Sequence, residues 1–495
     1  MNKSTHKKGD RPWPYQPLTP GEIQKIHQTT MKVLEEVGFE VRQPEAFEMF
    51  KKAGATVDHE SRKVRVKESL VKKLISSIPS QVTLYGRDSK HDLYLGSGNV
   101  YFTTGGTALN VLDYETQKRR PANLQDLIEV IRIVDQMENI HGMLLPTYPN
   151  ELAGEAVDIN RFFAGLNFTS KHVMGGIYTQ EGINEVIQMA EKVAGSPEAL
   201  RERPIISMIT CGISPLRLDS KYGSFMIDLA RKSIPTAVPV EPLSGATAPA
   251  SLAGTLVVQN CDGLINIMLS QLANPGAPVI YGSVATSVDF RDVSYLGGSV
   301  ESGMLNAAIA QLARHYGFPY YSTAGISDSK SLDTQCGYES AISNLMVALA
   351  GGDFIHDAAG LMEFALTVSK EKLVIDDEIL GMVYRTVKGF EVNEDTLAFE
   401  TIKNVGPGGN FIADRHTRKY MYKDHYFPQL SNRENREDWT QHGSKTTAEL
   451  AHEKVKEILS SEPVFYMDQK LADGLMKSFP KIKKENFVRE KKSKK

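Results

Sequence analysis

Cysteine is scarce in this chain: three in 495 residues, Cys211, Cys261 and Cys336. They are too few and too scattered for a disulfide framework or a cysteine-based zinc cluster, and no metal site is expected. A basic surplus is missing as well. Lys and Arg total 57 against 60 Asp and Glu, a net charge of -3, whereas a nucleic-acid partner calls for excess cation to neutralise phosphates. The most apolar stretch, 251–270, is broken by Gln259, Asn260, Asp262 and Asn266, so no membrane span is expected. The first residues are basic and polar without an apolar core, unlike a secretory signal. Hydrophobic residues at 41% and charged ones at 24% are ordinary for a globular chain with a large core. These features predict a soluble cytoplasmic protein with neither a nucleic-acid nor a membrane partner.

Common catalytic signatures are missing too. There is no G-x-S-x-G elbow, no Walker-type lysine loop and no H-E-x-x-H helix. Gly105-Gly106 and Gly297-Gly298 lack the third glycine and downstream acid of a dinucleotide fingerprint.

What is present begins with a small N-terminal cap over residues 1–98. Thr19-Pro20-Gly21-Glu22 is a capping box with proline at the first helical position, and apolar residues follow at helical spacing until Gly38. Short helices are predicted from Pro44 to near Gly54 and over 67–78, and strands over 82–85 and 92–95. From about Asn99 the rhythm becomes short apolar runs alternating with amphipathic helices. Strands are predicted over 100–104, 140–145, 172–177, 205–210, 236–240, 278–282, 320–323 and 353–356. Helices are predicted over 123–137, 151–166, 181–194, 219–233, 247–272, 300–316 and 338–350, and from Leu361 onward. Eight such units are the count at which a parallel sheet closes on itself. The expected fold is thus an α/β protein with a (β/α)8 barrel over 99–373, a doubly wound open sheet being the competing architecture. A helical C-terminal region over 374–478 and a basic, solvated tail over 479–495 complete the chain.

In a parallel barrel the chemistry gathers at the C-terminal strand ends. Reading past each predicted strand gives Gly105-Gly106-Thr107, Pro146-Thr147-Tyr148, Gly175-Gly176, Ile213-Ser214-Pro215, and Glu241-Pro242-Leu243-Ser244-Gly245. Ser283-Val284-Ala285, Gly325 to Lys330, and His356-Asp357-Ala358-Ala359-Gly360 with Glu363 follow. Glycine recurs at this rim, either to make tight turns or to let backbone approach something large. The sparse ionisable groups Glu241, Asp328, Lys330, His356 and Glu363 would converge on a polar pocket floor.

Several strings carry a family resemblance. Tyr281-Gly282-Ser283-Val284-Ala285-Thr286, the run from Tyr321 through Asp328-Ser329-Lys330, Asp333 to Glu339, and Ile355-His356-Asp357-Ala358-Ala359-Gly360-Leu361-Met362-Glu363 resemble the trimethylamine methyltransferase superfamily. So do Gly406-Pro407-Gly408-Gly409-Asn410-Phe411, His416-Thr417 and Tyr426-Phe427-Pro428. The resemblance implies a TIM barrel that passes a methyl group from an amine to the cobalt of a partner corrinoid protein. Asp58-His59 and Asp414-Arg415-His416 do not fit the D-x-H-x-x-G pattern with which corrinoid carriers hold cobalt, so no tightly bound cofactor is expected. Cob(I)alamin would arrive in trans, facing the rim at Gly105, Gly106, Gly175 and Gly176. Methanogen members carry pyrrolysine, placed near Asp328-Ser329-Lys330, whereas only standard residue types occur here. Members without it resemble methyltransferases of quaternary amines such as glycine betaine, proline betaine and carnitine.

A quaternary ammonium cannot donate hydrogen bonds, so its site should combine aromatic faces with a carboxylate. Tyr148, Tyr281, Phe364 and Tyr94 are candidate rings, and Glu363 or Glu241 a candidate counter-charge, although tyrosines also serve barrel packing. A betaine carboxylate needs donors, which His356, Lys330, Arg291, Ser329 and the amides near Gly325 would supply. His172, at strand three, is a further candidate. For catalysis the candidates are His356, Glu363 and Asp328, with positioning and desolvation as the main contributions. A histidine beside Asp357 can equally orient a loop. Rival readings are a non-catalytic betaine-binding or sensing barrel and a lyase forming a Schiff base at Lys330. A homo-oligomer is expected.

Overall fold

A computed structural model of the chain describes residues 13–487. Its centre is an eight-stranded parallel sheet. The strands are β1 Tyr101–Thr104, β2 Met143–Leu144, β3 Val173–Gly176, β4 Ile206–Ile209, β5 Thr236–Val240, β6 Val279–Ser283, β7 Tyr320–Thr323 and β8 Phe354–Ala359. Neighbours pair in parallel around the sheet, β8 pairs with β1, and a parallel bridge between Thr103 and Gly142 joins β1 to the start of β2. That bridge closes the barrel and excludes the open sheet.

The surrounding helices are α1 Leu124–Gln136, α2 Gly154–Phe168, α3 Gln180–Ala194, α4 Ser220–Arg231, α5 Leu252–Ala273, α6 Val300–Tyr316, α7 Thr334–Leu349 and α8 Lys370–Lys388. Among the described residues α5 alone is long and apolar enough to cross a membrane, but 72% of its most apolar window is buried in the protein. Its polar residues serve packing: Gln259 donates to the Gly282 carbonyl, Asn260 to Thr30 and Tyr316, and Asp262 accepts from Ser214 and the Leu216 amide.

The helix expected from Leu361 starts instead at Lys370. Residues 361–368 form a hairpin, with Leu361–Met362 antiparallel to Thr367–Val368. Its turn holds Glu363, Phe364 and Ala365 at φ of 49, 61 and 66°. Thr367–Val368 pairs with Asn110–Val111, so a four-stranded sheet lies at the C-terminal end of the barrel. A second small sheet joins Leu243–Ser244, Thr286–Val288 and Tyr295–Leu296 on the same side. Helix α8 runs across the expected boundary at position 373.

The N-terminal segment forms helices Pro20–Lys32, Pro44–Ala53 and Glu68–Ile75, and the predicted capping box at Thr19 is present. A small sheet of Phe39–Val41, Thr56–Asp58 and Lys63–Arg65 accompanies them and pairs with Arg217–Leu218. The hairpin Val82–Leu84 with Leu93–Leu95 puts Val82, Leu84, Leu93 and Leu95 in one core with Leu144, Met174, Ala237, Ile280, Tyr321 and Phe354. It plugs the N-terminal end of the barrel, leaving the other end open for a site.

At the C-terminus, helix Thr447–Ser460 packs on α8 and α1. Part of the expected solvated tail is packed: Phe479, Ile482 and Phe487 are buried, and Lys481 reaches Glu181 and Glu185 at 2.7 and 3.2 Å. The rest, 488–495, lies outside the described residues.

Candidate active site

A cavity of about 610 Å³ opens at the C-terminal ends of the strands, within the range of small-molecule sites. Strand alternation explains most of its wall. Side chains two residues apart share a face, so Gly176 and Tyr178, Ile209 and Cys211, and Pro239 and Glu241 each point inward in sequence and line the cavity. Tyr222, Tyr295, Tyr321 and Phe364 bring the aromatic rings in the wall to five with Tyr178.

The polar floor is built by β8. His356 Nδ1 lies 2.6 Å from the Ser322 carbonyl, and Nε2 lies 2.8 Å from Asp357 Oδ2 and 3.1 Å from Thr323 Oγ1. Its face stacks on Tyr321 with centroids 4.1 Å apart. Thr323 donates to Asp357 Oδ2 at 2.6 Å and the Gly106 amide to Oδ1 at 2.8 Å. Burial opposes the charge on Asp357, but His356 and these donors outweigh it and hold the carboxyl below its usual range.

Glu241 stands across the cavity with its side chain open to it. Enclosure by the barrel wall, aided by Asp357 and opposed by His356, pushes its carboxyl up to about 7. Tyr295 is held well above the ordinary tyrosine range by burial, with Glu241, Asp357 and Asp328 adding to the shift. The Cys211 thiol is reachable from the cavity, yet burial, with a further push from Glu241, raises it to about 12. It therefore remains a neutral, weakly nucleophilic wall group.

Of the residues expected from sequence, the structure brings Glu241, His356, Phe364, Gly106 and Gly176 to the cavity. The others lie elsewhere for identifiable reasons. Tyr281 has inward-facing neighbours in Ile280 and Gly282, so alternation turns it outward against Gly263 of α5, with its hydroxyl on Asn260. His172 precedes β3 and sits at the plugged end, bonded to the Tyr85 carbonyl and Ser207. Tyr94 belongs to the plug itself. Tyr148 packs edge-on behind Tyr178, with centroids 5.3 Å apart. Glu363 turns away to Arg119 at 2.9 Å and Thr367 at 3.1 Å. Asp328 accepts from the Gly297 amide at 3.0 Å, and burial pushes it up to about 6.

Ser329 bonds the Ser331 carbonyl and Asp333. Lys330 donates to the Asp328 carbonyl at 2.7 Å and lies 4.2 Å from the Phe364 centroid, outside the lining. That is not the enclosed amine a Schiff-base lyase needs. Gly325 has φ +86° and abuts the Ala358 backbone, and its carbonyl accepts from Lys372 and Ser340. Gly105 and Gly175 face side chains of Leu361 and Phe162 rather than the cavity. Arg291 is exposed and paired with Asp289.

Sequence reasoning missed Tyr178, Tyr222, Tyr295 and Tyr321 as wall residues and placed Asp357 at the rim without a role in the site. Continuing the alternation past each strand end finds Tyr178, whereas Tyr295 arrives on a distant strand that only pairing with Thr286–Val288 positions.

Residues 3–487 match the family described as trimethylamine methyltransferase (MTTB). The trimethylamine methyltransferase MttB of Desulfitobacterium hafniense (strain DSM 10664 / DCB-2) is 35% identical over 92% of this chain and 91% of its own. That of Methanosarcina thermophila is 37% identical over 91% and 94%. The glycine betaine methyltransferase of Desulfitobacterium hafniense (strain Y51) is 32% identical over 90% and 93%. Among solved structures, the Methanosarcina barkeri monomethylamine methyltransferase MtmB aligns with a TM-score of 0.46 at 11% identity, covering 89% of this chain and 92% of that one. On the family match and these relatives, the chain belongs to the trimethylamine methyltransferase family.

Proposed function

We propose that this protein removes a methyl group from a quaternary amine of the betaine type and delivers it to a partner corrinoid protein. The observation that carries the reading is one cavity enclosing five aromatic rings together with Glu241. A tetraalkylammonium has no proton to donate; it is held by ring faces, about 0.5–2 kcal/mol each when desolvated, and by an opposed carboxylate. Relatives named for trimethylamine and for glycine betaine both lie at 32–37% identity. The chain contains standard residue types only, and this favours the quaternary substrate on chemical grounds. When the C–N bond of a quaternary amine breaks, nitrogen keeps the electron pair and leaves as a neutral tertiary amine. Free trimethylamine would have to leave as an anionic amide.

Cob(I)alamin, brought by the partner, supplies the nucleophile when bound. The apolar side chains Leu109, Phe290, Val293 and Leu366 are exposed on loops at this end of the barrel, and Leu366 also lines the cavity. They suit the edge of a large macrocycle, and the small Gly106 and Gly176 permit close approach. The protein's own residues hold the cation against the rings, exclude water around the methyl group, and fix its direction, a proximity effect rather than acid–base chemistry. Glu241 holds the cation, and its position near neutrality limits overstabilisation of the substrate's charge.

The test mixes the protein with reduced corrinoid protein and candidate amines while the cobalt spectrum is followed. Methylation from a betaine is expected. Methylation from trimethylamine with none from any betaine overturns the reading, and tight betaine binding without transfer favours the sensing alternative.

A further inference from the structure

We propose that Arg161, acting through the hydroxyl of Thr107, selects an amine that carries a carboxylate. This rests on the quaternary-amine reading and adds the residues that would recognise the substrate's anionic end. Arg161 lies on α2 and is wholly buried. Its Nη2 donates to the Leu145 carbonyl at 2.6 Å and to Thr107 Oγ1 at 3.1 Å, and Nη1 donates to the Gly176 carbonyl at 3.2 Å. Its Cζ lies 5.4 Å from the Tyr178 ring centroid. Thr107, Leu145, Gly176 and Tyr178 all line the cavity, so the guanidinium stands directly behind one wall.

No carboxylate touches that charge. Among the described residues no carboxylate lies within ion-pair distance of Arg161, and its Nε has no partner. Asp158, one turn earlier on α2, spends its oxygens on the amides of Tyr178 and Thr179 and on the Thr179 hydroxyl. Asp158 therefore acts on Arg161 only at longer range, and a buried charge without a touching counter-ion is incompletely compensated. Because Thr107 Oγ1 already accepts from Arg161, its own proton is free to be donated, and Thr107 is partly open to the cavity. An anion at that point receives a hydroxyl polarised by the guanidinium behind it.

The placement suits a dipolar ligand. Thr107 follows β1 and Glu241 follows β5, four strands apart around an eight-stranded barrel, hence on opposite sides. Among the described residues the lining contains no Lys or Arg. His356 already meets Ser322 and Asp357. The cation therefore sits toward Glu241 and the carboxylate toward Thr107, with Arg161 as its positioning residue.

Calorimetric binding of glycine betaine and of tetramethylammonium to the whole protein, without the corrinoid partner, tests this. Thr107→Val keeps the shape and leaves Arg161 its Leu145 and Gly176 carbonyls. It should weaken glycine betaine by about ten- to hundred-fold, leave tetramethylammonium within about twofold, and be rescued by Thr107→Ser. Equal losses for both ligands, or no loss for either, overturn the inference while sparing the quaternary-amine reading. Failure of the wild-type protein to bind either cation overturns that reading, and this inference with it.

Discussion

His356 and Asp357 are consecutive in β8, yet their side chains meet, with Nε2 2.8 Å from Oδ2. Consecutive residues of a regular strand face opposite sides. Here Asp357 has φ +60°, and the pairing of β8 with β1 shifts register between Ile355 and Ala359. The irregularity re-aims the carboxylate into the cavity beside the imidazole, as bulges next to active sites do. A backbone conformation costly for a non-glycine residue is maintained by three contacts on that carboxylate's two oxygens, from His356, Thr323 and the Gly106 amide.

Removing the charge of Asp357 should expose what those contacts are worth. Asp357→Asn keeps the shape but replaces a buried carboxylate that accepts from the Gly106 amide and Thr323 and meets His356, and a loss of about 3 kcal/mol is expected. Urea denaturation of the two proteins measures it. A difference under about 0.5 kcal/mol would show the pair uncoupled.

The raised Glu241 carboxyl gives cation binding a pH dependence with a definite sign. Its folded pKa of about 7 lies above the ordinary glutamate value. The fold therefore favours the protonated form, and stability contributed by this group is lost as pH rises from the unfolded value through about 7. A bound cation favours the opposite, ionised form. Affinity for tetramethylammonium should rise with pH, approaching about tenfold per unit below pH 7 and levelling above it. Glu241→Gln should flatten the profile, which isolates this group from His356. An unchanged profile in that variant would assign the dependence elsewhere.

Tyr295 is expected to act through its ring face. Tyr295→Phe should hold tetramethylammonium within about twofold of wild type, whereas Tyr295→Leu should weaken it about tenfold. Equal losses in the two variants would point to the hydroxyl instead.

Lys330 should be dispensable for chemistry, since its amine donates to the Asp328 carbonyl outside the cavity lining. Lys330→Met is expected to keep methyl transfer within about threefold, and borohydride should trap no substrate on the wild-type protein. Covalent trapping at Lys330, read by mass spectrometry, would revive lyase chemistry.

The barrel was legible because its signals are local. Apolar runs and helical periodicity place all eight strands close to their observed positions, and 236–240, 300–316 and 320–323 coincide with β5, α6 and β7. The failure at 361–368 has a definite cause. The segment Leu-Met-Glu-Phe-Ala-Leu-Thr-Val reads as an apolar helix, but Thr367–Val368 finds strand partners at Asn110–Val111, far away in sequence. Three consecutive residues of positive φ then turn the hairpin and aim Phe364 at the cavity while sending Glu363 to Arg119.

The same division runs through the site. Order along the chain and the period of two bring Glu241 and His356 to the inner face at strand ends, because side-chain direction in a regular strand follows from position alone. The direction of Asp357, the arrival of Tyr295 and the setting of the Thr107 hydroxyl depend on a register shift, a remote strand pairing and a buried arginine on a neighbouring helix. Those contacts join segments whose separation along the chain carries no local pattern, so packing in three dimensions decided them.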